Sequence, residues 1–167
     1  MTLIGSDYLL RLSALAVSFV GFSGVIVALR RALGVELASI HMYLIRFLIE
    51  GGLAVATFGL LPAALSFTGL PDSMIWRLLS ATAAFVFSGY LILVFRRRIR
   101  VTPRISILRP EALVAVPVSV LAVLGFWVNT VGIGFQPSAA LYAMALTAFF
   151  LVGVWIFIQN LERFFGN

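Results

Sequence analysis

From Ala112 to Leu161 the chain runs for 50 residues without one charged side chain. As a straight helix that run would be ~75 Å long at 1.5 Å per residue, against a bilayer hydrocarbon core of ~30 Å. It therefore divides into two spans. The natural break is Asn129 to Pro137, where Asn129, Gly132, Gly134, Gln136 and Pro137 cluster. Three more apolar segments precede it. Leu12 to Leu29 carries no charge and is closed by Arg30 and Arg31. Tyr43 to about Leu65 ends at the turn signal Pro71-Asp72. Leu78 to Phe95 is stopped by Arg96, Arg97 and Arg98.

With 62% apolar and 11% charged residues, the 167-residue chain lies outside the range of soluble domains, which are 45–50% apolar. The expected fold class is an all-α integral membrane protein: one domain over 1–167, built as a bundle of five transmembrane helices. The spans fall at about 10–29, 41–65, 75–95, 111–129 and 138–160. Met1 to Arg11 has no basic n-region and no small-residue cleavage motif follows the first run, so that run is expected to be retained as a helix.

Arginine positions give an orientation. With the N-terminus outside, ten arginines lie on the inner side and only Arg11 and Arg77 outside, which is the positive-inside pattern. The C-terminus is then inside, and a prokaryotic cytoplasmic membrane is the expected location. Tyr8, Trp76, Trp127 and Tyr142 fall at outer ends of spans, where interfacial aromatics gather.

Composition narrows the chemistry. The chain has no cysteine, so thiolate catalysis, disulfides and cysteine-bound metals are excluded. His41 is its single histidine, which excludes bis-histidine ligation within one chain. Every basic residue is arginine, so no lysine can form a Schiff base. No metal, cofactor or enzymatic activity is expected. Nucleic-acid binding is not expected either, since no aromatic is interleaved with the arginines and no folded domain accompanies them.

The second span carries the most information. At ~100° per residue, Ser39, Tyr43, Arg46, Glu50 and Thr57 share one side, while Gly52, Ala56, Gly59 and Ala63 form a small-residue stripe on the other. Arg46 and Glu50, four residues apart, can pair along one helix face. Two depths remain open for them. A helix entering near His41 puts the pair near mid-bilayer, whereas an apolar segment of Gly51 to Leu70 leaves it interfacial, with Arg46 snorkelling. As a buried ion pair or pathway, Arg46, Glu50, Tyr43 and Thr57 are expected to face the protein interior or a water-filled cavity, and not lipid. Further small-residue stripes, Ala14, Ser18, Gly21 and Ala28 in the first span and Ala81, Ala84 and Ser88 in the third, are expected as seams between helices of one chain, or alternatively as an oligomer interface. Pro117 is expected to kink the fourth span.

Arg96 to Arg109 holds six arginines in 14 residues and is expected as an inner loop. Arg96, Arg97, Arg98, Arg100 and Arg104 there are candidates for binding anionic lipid head groups or a partner. Thr130-Val131-Gly132-Ile133-Gly134 is similar to the potassium-channel filter over five residues. It directly follows a full span with no separate pore helix, however, and Phe135 stands where that filter has an aspartate. The segment is expected as a glycine-rich outer turn. These features point to a homo-oligomeric channel or transport subunit for a small ion or solute, or alternatively to an accessory subunit that binds a larger partner or anionic lipid.

Overall fold

The computed structural model describes residues 3, 5–32, 34, 39–101, 110–132 and 136–165. Its elements are α1 (Ser6–Ala32), α2 (Ser39–Leu65), a 3-10 turn (Ser66–Thr68), α3 (Asp72–Val101), α4 (Pro110–Val131) and α5 (Ala139–Phe165). All five α-helices are long and apolar enough to span a membrane. Local chemistry sets their ends. Asp7 and Asp72 place a carboxylate in the first turns of α1 and α3, favourable at the positive end of a helix dipole. Pro110 opens α4, where its missing N–H costs nothing. Gly132 closes α4 in the left-handed region at φ 68°, donating its N–H to Val128 O at 3.0 Å.

Helices α2, α3, α4 and α5 form a ring in which each packs on the next and α5 returns to α2, while α1 lies in the groove between α2 and α5. Aromatic side chains fill the middle. The Phe87 ring lies 5.3, 5.5 and 4.4 Å from those of Phe58, Phe126 and Phe149, and Tyr142 lies 5.5 Å from both Phe126 and Trp76. Trp76 and Tyr142, expected at a membrane interface, are thus core residues. They mark the ends of their spans in sequence, but their side of the helix turns inward. Tyr142 also repairs α2. Pro62 cannot donate to Phe58 O, four residues back, and the buried Tyr142 hydroxyl donates to that carbonyl at 2.8 Å instead.

The closest helix approach is between α1 and α2. Gly52, Ala56 and Gly59, spaced four and three apart, meet Leu9, Ser13, Ala16 and Val20 with the same spacing. Ser13 Oγ shares its proton between Leu9 O at 2.8 Å and Ala56 O at 3.0 Å. The small-residue stripe of α2 is therefore a seam, as expected, but that of α1 is not: Ala14, Ser18, Gly21 and Ala28 are exposed. Notches on α2 are filled by larger side chains of α1, which turns the small face of α1 outward.

Two further expectations change. The arginine block ends the apolar run but not the helix, because arginine is a good helix former and its charge suits a helix C-terminus. Arg96, Arg97, Arg98 and Arg100 therefore sit in the last turns of α3 and not in a loop, while Arg104 and Arg109 lie outside the described residues. Thr130 and Val131 belong to α4, and Thr130 Oγ bonds Phe126 O at 2.8 Å, so they do not adopt an extended filter conformation. Ile133 and Gly134 lie outside the described residues. Pro117 lies within α4, which continues past it.

A Cβ at Gly59 would overlap Ser13 Oγ and come within 2.9 Å of Leu9 O, whereas one at Gly89 meets nothing within 4 Å. Gly59→Ala is expected to cost about 1–3 kcal/mol, the usual range for overpacking. Gly89→Ala is expected to be neutral or to gain up to about 1 kcal/mol from helix propensity. Thermal unfolding of the two variants in nanodiscs checks the contrast.

Candidate functional site

Helix α2 touches α1, α3 and α5, which leaves one strip of its surface uncovered. Met42, Arg46, Leu53, Thr57 and Leu60 lie on that strip. Arg46 and Glu50 are at its edge nearest α3, and they are bonded: Arg46 Nε donates to Glu50 Oε1 at 2.5 Å. A third charge completes the site. Arg97 of α3 donates Nη1 to Glu50 Oε2 at 2.7 Å, so each carboxylate oxygen receives one guanidinium.

Helix geometry explains the convergence. Cα–Cβ bonds lean toward a helix N-terminus, and α2 and α3 are antiparallel neighbours. Glu50 therefore leans toward Arg46, and Arg97, two residues past the apolar run of α3, leans back along it toward Glu50. Two tyrosines tie the helices together at this level: Tyr43 Oη donates to Val94 O at 3.3 Å and Tyr90 Oη to Phe47 O at 2.9 Å. Both hydroxyls are thereby committed to backbone carbonyls.

The site lies on the flank of the bundle. The Arg46 side chain is 63% exposed, against 33% for Arg97 and 31% for Glu50. The ring's centre is already filled by aromatic rings and the fourth side of α2 has no helix against it, so the ion pair sits on the flank, while Tyr43 of the same expected set is half-buried against α3. Thr57 shares the exposed strip but lies seven residues from Glu50, about 10 Å along the axis, and does not join the ionic cluster. Position along the helix can be read from neighbours. Arg46 and Glu50 stand about 6 and 12 Å beyond Met42, the first residue of the apolar span. Gly52, half a turn from Glu50, packs on Val20, the midpoint of the charge-free run Leu12 to Leu29 in α1.

The sequence placed Arg97 with the lipid-facing arginines and missed it as a partner of Glu50. The available signal was charge balance: Glu50 is an acid inside an apolar run, and the neighbouring antiparallel helix ends in arginines. Asn129 was also missed, having been read only as a turn residue. It is fully buried, donates Nδ2 to Ser80 Oγ at 2.7 Å and to Ser138 O at 3.1 Å, and accepts Ser138 N at 2.9 Å, so it staples α3, α4 and the start of α5. Arg96 and Arg100 are exposed and Arg98 half-buried at the same end of α3 as the cluster. Among the described residues no three His, Asp or Glu side chains gather as a metal site. The chain matches no protein-family model, and it shows no significant similarity to a curated protein or to a solved structure.

Arg97 is the less exposed of the two cations, so its loss leaves Glu50 more poorly compensated. Arg97→Gln is expected to lower the unfolding temperature in nanodiscs by a few degrees, and by more than Arg46→Gln. Thr57→Ala, outside the cluster, is expected to stay within about 0.5 kcal/mol of wild type. A double-variant cycle on Arg97 and Glu50 checks the coupling directly.

Proposed function

We propose that the chain is a subunit of a homo-oligomeric membrane assembly that passes a small ion or solute along the α2–α3 flank, where protomers meet. The observation that carries this reading is the Arg46 guanidinium, 63% exposed on a helix whose apolar segment begins one turn earlier, at Met42. Lipid tails offer an exposed charge no partner, so intramembrane ionisable groups turn toward protein or a water-filled cavity. This one faces away from its own bundle, and a second protomer supplies what lipid cannot. The aromatic centre supports the same reading, because a path between protomers needs no room inside one.

The orientation proposed is N-terminus outside, with the arginine-rich end of α3 inside a prokaryotic cytoplasmic membrane. Arg96, Arg98 and Arg100 would there meet anionic lipid head groups, each worth ~1 kcal/mol near such a surface. In the alternative reading, an accessory subunit, the same flank docks a different membrane protein and passes nothing; the fully claimed Glu50 carboxylate favours it.

Purified protein in liposomes tests the proposal. Flux of potassium, chloride or protons is expected, with a mass in nanodiscs above that of one chain, and Glu50→Gln is expected to change the flux severalfold without unfolding the bundle. Unchanged flux in the Arg46→Met/Glu50→Gln double variant would remove the cluster from the path. Absence of flux for every species, with a monomeric mass, would favour the accessory reading.

A further inference from the structure

We infer that the Arg46–Glu50–Arg97 cluster is a binding site for a small monovalent anion, with the Glu50 carboxylate as a tethered occupant that such an anion displaces. The inference rests on the transport reading for its purpose but not for its chemistry.

Two guanidinium groups from different helices converge on one carboxylate, each through a single N–H. Arginine has five such donors, so neither group is saturated by Glu50. The gap between them already holds a group of one negative charge and of compact size, which is the chemistry of a halide, nitrate or free carboxylate. Charge favours an anion as well. With Glu50 in place the three residues sum to +1, and with Glu50 swung aside the guanidinium pair is +2.

A cation finds the opposite. Both oxygens of Glu50 are taken by arginines. The approach is also selective. Arg96 and Arg100 lie exposed at the same end of α3, and exposed positive charge near a site favours the approach of an anion. Rings of arginine serve anion pores in the same way that acidic rings serve cation pores.

Glu50 can leave. Its side chain is 31% exposed, and the strip of α2 beside it, with Arg46, Leu53 and Thr57, is exposed. The arrangement then works as an exchange: the incoming anion takes the guanidinium donors, Glu50 swings toward the open flank, and the carboxylate returns when the anion departs.

The test is thermal unfolding of the full chain in nanodiscs at constant ionic strength, as gluconate is replaced by chloride, nitrate or thiocyanate. A ligand that binds the folded state raises the midpoint according to its concentration over its Kd. Wild type is expected to respond weakly, because each anion competes with Glu50. Glu50→Gln is expected to bind about tenfold more tightly, since its amide lacks the competing charge. Arg46→Gln/Arg97→Gln is expected to show no anion-specific rise. Glu50→Asp, which withdraws the carboxylate by one methylene, gives an intermediate response and serves if Glu50→Gln does not fold. Equal responses from the Glu50 variants and the double arginine variant would overturn the site. Chloride-specific stabilisation in Glu50→Gln with no flux of any species in liposomes would sink the transport reading and keep the site. Potassium flux without anion permeation or anion-specific stabilisation would do the reverse.

Discussion

Glu50 occupies an apolar span because two guanidinium groups reach it, and the placement of α2 and α3 follows from that requirement. An ionised carboxylate removed from water is costly unless paired and hydrogen-bonded. Arg46 comes from one turn away on the same helix, but Arg97 is available only if α3 runs antiparallel to α2 at one register. The hydroxyls of Tyr43 and Tyr90 hold that register by bonding across to backbone carbonyls. Charge satisfaction and helix packing are therefore the same event on this side of the bundle.

Elsewhere the same demand, that polar groups find partners where water is scarce, is met locally. Ser18, Ser23, Thr82, Thr130 and Thr147 return their hydroxyl protons to carbonyls in the preceding turn of their own helices. Pro62 frees a carbonyl that Tyr142 takes, and Asn129 spends its amide on Ser80 and Ser138. The α2–α3 flank is different: there three charged side chains from two helices bond one another and stay partly exposed.

The five helices were legible in the sequence because hydrophobic length is a one-dimensional signal. The pairing of Arg46 with Glu50 was legible too, since a spacing of four fixes proximity on a helix. Direction was harder to read. The inner side of a helical wheel depends on which neighbours arrive, so the wheel of α2 does not tell a bundle interior from a cavity-facing flank, and that of α1 does not tell a seam within the chain from an exposed face. Arg97 joined to Glu50 is a contact between residues 47 apart in the chain, and no local pattern encodes it. The arginine block misled for a different reason: charge ends hydropathy, but it does not end a helix.

A pathway along this flank requires the exposed strip of α2 to face protein or water and not lipid. Because the chain has no native cysteine, a spin label at Thr57→Cys reports that environment in bilayers, with Leu121→Cys, on a 66% exposed apolar side chain of α4, as a lipid-facing reference. Collision with dissolved oxygen, which concentrates in lipid, is compared with collision with a water-soluble nickel chelate. The account predicts low oxygen accessibility at Thr57 relative to Leu121, with the nickel chelate at least as effective there. Oxygen accessibility at Thr57 equal to that at Leu121, with no effect of the chelate, would place the strip in lipid and contradict it.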